Sequence, residues 1–272
     1  MININDMVKA ELSVLESGKW GTVGPHYTSA SKLFAEYTGS AYGMLTSTFD
    51  AAYESVLRQC ASRFDETVSG DVVITGEVST PANSLIALCA SAGVKFAAVC
   101  ERCGMISPGK LAAVLKSIDV PVRCVTLDYL AEKDGADSYR LDRLSEICKS
   151  RGIPLVINAY GNIGAKHNGA ELTKFASAVV YSLEEGSAVN IGKGGLVTTD
   201  DPDFFDGAYA YHNCGRSLGV GSTLDMDTII GGDLRISEWN AVLAEEILKS
   251  GELSVVTARE LADMKNQPLF EC

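Results

Sequence analysis

The residues best placed to do chemistry in this chain are carboxylates. Glu184 and Glu185 lie in a loop that closes on Gly194-Gly195, Asp50 stands at the start of a helical stretch, and Asp233 follows Gly231-Gly232. Brought together, such side chains could bind Mg²⁺ or exchange protons with a substrate. The simpler reading is two solvated loop glutamates and a helix-capping Asp50. His167 and His212 are candidate general bases, because imidazole titrates near neutrality; His212 reads more simply as structural. Lys166 and Lys193 carry amines able to form an imine, but each also reads as a solvated surface lysine. Cys100-Glu101-Arg102-Cys103 is a lone CxxC with no second pair to complete a tetrahedral metal site, which favours an inert pair. The glycine- and serine-rich tract from Gly215 to Ser222 does not follow a strand and open a helix, as a phosphate loop must. It reads as a mobile interface loop.

The elements that must position these residues alternate. Short β-rich runs are expected at 72–74, 96–99, 122–127, 154–157, 178–181 and 196–199, the last two as a pair. Helical stretches are expected near 7–17, 27–37, 50–63, 108–118, 140–151 and 237–248, with another through Leu85, Ile86 and Leu88. In the first of these, Val8, Leu12 and Leu15 recur at helical spacing. Alternation of this kind implies a three-layer α/β/α sandwich around a mostly parallel sheet. Ligands in such sheets sit at the C-terminal ends of strands, which directs attention to the loops after Ile74, Ile157 and Tyr181.

A hydrophobic fraction of 46% against 21% charged residues suits one large domain with a sizeable core. A net charge of −12 argues against nucleic acid or an anionic membrane as partner, since both need a basic face. The opening residues lack a basic region and an apolar core of the kind that directs secretion, so the expected location is cytoplasmic. Cys60, Cys89, Cys124 and Cys148 fall in apolar or helical segments and read as buried free thiols rather than a disulfide framework.

Several motifs share one order. Phe34-Ala35-Glu36-Tyr37-Thr38-Gly39, the run from Ile153 to Ala165, the loop from Tyr181 to Val197, His212-Asn213-Cys214-Gly215-Arg216, and Gly231-Gly232-Asp233-Leu234-Arg235-Ile236-Ser237-Glu238 together resemble the DegT/DnrJ/StrS family of sugar aminotransferases. So does the entry segment from Ser17 to Pro25. The resemblance runs from about residue 10 to 248. It implies the large domain of an aspartate-aminotransferase-type, pyridoxal phosphate (PLP)-dependent transferase over 1–250, with 251–272 a remnant of a mostly absent C-terminal domain. It also implies a dimer whose sites draw on both protomers.

Laid over the family pattern, the departures converge on one ligand. The imine lysine falls on Ser187, whose hydroxyl cannot form an imine with an aldehyde. The acid that keeps the pyridine nitrogen protonated falls on Asn158, and the Gln or His three residues later on Gly161. The Ser-Gly-Thr phosphate cradle falls on Thr48-Phe49-Asp50, the stacking aromatic on Thr80, and the neighbouring subunit's phosphate-reaching Asn on Asp233. Ser182 alone survives as a phosphate contact. The resemblance therefore implies a degenerate site with no catalytic residue of the family kind and no bound PLP. The chain would then be a pseudoenzyme acting through contacts with itself or with an active paralogue. Two alternatives stand beside it. One is altered chemistry on a small sugar-like metabolite in the inherited cleft, which requires that Phe49 and Tyr160 not fill it. The other is a surviving PLP enzyme using a substitute lysine.

Overall fold

The computed structural model describes residues 4–21, 23–62, 70–77, 79, 81–99, 106–129, 140–217, 229–251 and 253. Its helices are α1 (Ile4–Ser17), α2 (Pro25–Thr38), α3 (Phe49–Ala61), α4 (Pro81–Cys89), α5 (Pro108–Ser117), α6 (Leu141–Lys149), α7 (Pro202–His212) and α8 (Glu238–Lys249). Its strands are β1 (Tyr42–Thr46), β2 (Val72–Gly76), β3 (Gly93–Ala97), β4 (Val122–Asp128), β5 (Leu155–Tyr160), β8 (Ala178–Ser182) and β9 (Gly195–Thr199), with a small hairpin of β6 (Lys166–His167) and β7 (Ala170–Glu171).

The seven main strands form one sheet in the order β1-β9-β8-β5-β4-β2-β3. Pairing is parallel from β3 to β8, while β9 runs antiparallel to both β8 and β1. Strands β8 and β9 are buried along their whole length, and β5 is buried from Leu155 to Ala159. Burial of successive residues marks strands covered on both faces. Helix α3 lies against β1, β4, β8 and β9 and packs on α7, and α2 packs on β1 and α8. The architecture is the expected α/β arrangement of a mostly parallel sheet flanked by helices.

Local chemistry explains the boundaries. Thr48 caps α3 by accepting the Ala51 N–H at 3.0 Å, Ser237 caps α8 by accepting from Asn240, and Pro25, Pro108 and Pro202 open their helices where no donor is needed. Gly39 ends α2 in a left-handed conformation at φ 67°, and the next amide, of Ser40, returns to the Ala35 carbonyl at 2.9 Å. At the strand N-termini, Arg123 of β4 clasps Asp71 just before β2 and donates to the Ala90 carbonyl at 2.7 Å, with both charged groups buried.

Four expectations are corrected. Strand β3 starts at Gly93 rather than Phe96, because pairing with β2 from Val72↔Gly93 sets its register. Strand β1 and helix α7 were not anticipated, although Asp201, which accepts the Asp203 and Phe204 amides, followed by Pro202 is a clear start signal. In α1, Val8, Leu12 and Leu15 face outward, and Val14 is the buried residue. Cys60, Cys124 and Cys148 are buried, but Cys89 is exposed at the end of the short α4. The Cys100–Cys103 pair and nearly all of 251–272 lie outside the described residues, as does most of the Gly215–Ser222 tract.

Candidate active site

The C-terminal ends of β5 and β8 meet the N-terminus of α3. Helix N-termini offer unpaired amides and a partial positive charge, and here an internal anion takes them. The Glu184 carboxylate accepts the Phe49 N–H at 3.1 Å through one oxygen and pairs with Lys193 Nζ at 2.9 Å through the other. The backbone of Glu184 is fixed in turn, its N–H donating to Ser182 Oγ at 3.1 Å. Close approach of α3 to this loop depends on Gly195. A Cβ there would strike the Thr48 carbonyl and come within 2.7 Å of Thr46 Oγ1 and 2.8 Å of Ala52 Cβ. Asp50 follows in the first turn of α3 and is exposed; the cap itself is Thr48, which corrects the expected role of Asp50. Partial burial, then repulsion from Glu184, raises the Asp50 pKa above the ordinary carboxylate value, with Lys193 opposing.

One strand over, Asn158 is buried and fully engaged. Its amide nitrogen donates to Asn83 Oδ1 at 3.0 Å and to Asp128 Oδ1 at 2.8 Å, and its amide oxygen accepts the Tyr160 N–H at 3.0 Å. Asn83 donates to the same Asp128 oxygen at 3.0 Å. Both hydrogens of the Asn158 amide are thus spent on the neighbouring strand and helix. Pairing between β5 and β8 slips between Asn158 and Tyr160, and Tyr160 adopts φ 45°, unusual for a residue with a side chain. The slip sends the Tyr160 ring edge-on to Phe49, with centroids 5.7 Å apart, and its hydroxyl to the Glu185 carbonyl at 3.3 Å. Burial, and then Glu184, pushes the Tyr160 phenol up. Gly161 is buried behind it and accepts the Ala188 N–H at 3.3 Å. Ser187 closes a local turn, its Oγ accepting the Val189 N–H at 3.3 Å.

The structure therefore brings together Asp50, Glu184, Lys193, Ser182, Ser187, Asn158 and Gly161 around the strand ends, and adds Tyr160, Phe49, Asp128 and Asn83. Asp128 closes β4, so the rule that sites gather at C-terminal strand ends could have found it. Asn83, inside a helix, carried no signal. Thr80 lies outside the described residues. Asp233 is held by Arg235 at 2.7 Å, which keeps its carboxyl low, and it bridges to Asn213 rather than joining Asp50. Lys166 is exposed and pairs with Glu171 at 3.2 Å. His167 is buried edge-on to Tyr129 and Phe175. His212 is fully buried, donates from Nδ1 to the Tyr209 carbonyl at 2.7 Å, and is pushed down by burial to about 4. Among the described residues, no three His, Cys, Asp or Glu side chains are grouped to hold a metal ion.

Comparison with known proteins places this geometry in a family. The DegT/DnrJ/EryC1/StrS aminotransferase model matches residues 3–272. L-glutamine:2-deoxy-scyllo-inosose aminotransferase of Streptomyces fradiae is 26% identical over 88% of this chain and 57% of its own length. 3-Amino-5-hydroxybenzoate synthase of Amycolatopsis mediterranei is 25% identical over 91% of this chain and 60% of its own. Among solved structures, NtdA from Bacillus subtilis, with bound cofactor PMP, superposes with a TM-score of 0.77 at 19% identity, over 90% of this chain and 52% of that one. The chain thus spans less than two-thirds of the length of the relatives it matches. The order of its motifs, its sheet topology and the full-length match make it a member of the DegT/DnrJ/EryC1/StrS aminotransferase family.

Proposed function

We propose that this chain is an aminotransferase-family subunit that does not hold PLP in its own site and works through contacts with a second subunit, of its own kind or an active paralogue, in sugar or secondary metabolism. The observation that carries this reading is the Glu184 carboxylate on the Phe49 amide, at the helix N-terminus where the family pattern seats the cofactor phosphate. A phosphate dianion there would meet Glu184 and Asp50, like charges that repel strongly once water is excluded. The other residues do not fit the cofactor either. Ser187 has no amine, Asn158 directs its amide at Asn83 and Asp128 rather than outward, and Tyr160 stands against Phe49 where the cleft would open. That last contact also counts against altered chemistry on a small sugar-like ligand in the same cleft. No catalytic step is assigned to these residues.

The test is spectroscopic. Purified protein is mixed with PLP, freed of unbound PLP by gel filtration, its absorbance recorded, and the eluate reduced with borohydride for intact mass and peptide mapping. A flat spectrum and an unchanged mass are expected. A visible band with a PLP-sized gain on one lysine, Lys193 or Lys166 in particular, would overturn the reading. The partner half of the proposal is tested by light scattering, alone and with a PLP-binding family member. A chain that stays monomeric in both at micromolar concentration rejects it.

A further inference from the structure

Away from the strand ends, side chains of three different helices form a hydrogen-bonded series. Ser13 is exposed on α1, His26 is the second residue of α2, and Glu245 is buried on α8, against which both other helices pack. The Ser13 hydroxyl oxygen stands 3.3 Å from His26 Nε2, and His26 Nδ1 stands 2.8 Å from Glu245 Oε2. The two inner members are held in place. The His26 N–H donates to Glu238 Oε2 at 2.9 Å, and the Gly24 and Tyr27 amides donate to the other oxygen of this buried carboxylate. Glu245 Oε1 accepts from Ser29 Oγ at 2.6 Å and pairs with Lys249 Nζ at 2.8 Å, which leaves Oε2 for the imidazole. Burial opposes ionisation of Glu245, but hydrogen bonds from Lys249, Ser29 and His26 hold its carboxyl below the ordinary range.

A nucleophile within reach of a base that is itself oriented by a third group is the arrangement of nucleophilic catalysis. With its Nδ1–H donated to Glu245, the ring turns Nε2 to Ser13 as an acceptor. The Ser13 hydroxyl also donates to the Ala10 carbonyl at 2.6 Å, and rotation about its Cβ–Oγ bond alone redirects the hydrogen to Nε2. The His26 side chain is 25% exposed, so both groups can be reached from solvent. We propose that Ser13, His26 and Glu245 form a second site, separate from the inherited cleft, that takes acyl groups from small carboxylic esters. Ser13 Oγ adds to the ester carbonyl as His26 Nε2 takes its proton. The bond to the leaving alkoxide then breaks, and His26 returns the proton to it. Water, deprotonated by the same ring, releases the acid and regenerates Ser13. Lys9, one turn before Ser13 and 3.6 Å from Asp6, supplies a cation beside the developing oxyanion. Glu245 is a positioning residue. A serine exposed on a helix surface has no grip on a long acyl chain, so the substrate class is a short-chain ester.

The probes are a fluorophosphonate, which exchanges its fluoride for a serine oxygen, and 4-nitrophenyl acetate. The folded full chain should gain one phosphonyl group, and fragmentation of the tryptic peptide 10–19 should place it on Ser13 rather than Ser17. Ser13→Ala, a change at an exposed position, should abolish labelling and return nitrophenol release to background. His26→Ala should slow both by about tenfold or more, and added imidazole should recover part of the loss. Glu245→Gln should lower kcat for the acetate with KM unchanged, a split that a merely structural role would not give. Absence of labelling, labelling that survives Ser13→Ala or urea unfolding, or an unchanged rate in His26→Ala would overturn the proposal.

Discussion

At the scale of single residues, the site turns on which group satisfies the start of α3. Glu184 does so with one oxygen and uses Lys193 to neutralise the other, but the two partners differ in weight. Lys193 is 69% exposed, so Lys193→Met should cost at most about 1 kcal/mol. Glu184→Ala strands a helix amide as well, and about 1–2 kcal/mol is expected. Urea unfolding of the two variants decides the matter, and the reverse order would mean that the ion pair, not the helix, holds the loop. An amine at position 187 should not by itself confer PLP binding. Ser187→Lys is expected to remain spectrally flat with PLP, because Glu184 and Asn158 keep their present partners; a visible absorbance band in that variant would show that the site was one substitution from function. The positions of Ser187, Asn158, Ser182 and Asp50 were legible because motif order survives residue change. The work of Glu184 was not. A glutamate in a glycine-ended loop looks solvated in sequence, and only the fold brings it to an amide 135 residues away.

At the scale of elements, two contacts hold the sheet and its site in register from opposite ends. At the site end, Gly195 lets β9 pass beneath the first turn of α3. Gly195→Ala should lift that turn and cost about 1–3 kcal/mol in thermal or urea unfolding. At the far end, the buried Arg123–Asp71 pair joins the starts of β4 and β2. Arg123→Leu leaves a buried carboxylate alone, for an expected loss of about 3–5 kcal/mol, and adding Asp71→Leu should recover much of it. Most elements were readable from apolar runs and from proline and cap signals. Strand β1, Tyr-Gly-Met-Leu-Thr, is short and carries a glycine, so it gave no clean alternation. The outward side of α1 misled for a different reason: its spacing is helical, but spacing does not say which side meets the core.

At the scale of the whole molecule, buried titratable groups set the working range. His212 is neutral and sealed, with its pKa pushed down by burial to about 4, whereas in the unfolded chain it titrates near 6.5. As pH falls through that window the unfolded state takes up the proton and the folded state does not, so stability is lost with acidification, by about 2 kcal/mol between pH 7 and pH 5. His212→Phe should flatten that part of the pH profile of urea unfolding, and an unchanged slope would assign the acid sensitivity elsewhere. The helix start at Phe49 has a different kind of consequence. A holoenzyme gains stability by mass action from whatever saturates its site, about 2.7 kcal/mol at a hundredfold excess over Kd. An anion that is part of the polypeptide cannot be diluted, competed away or limited by supply. On this reading, the chain would fold and persist equally well whether vitamin B6 is plentiful or scarce.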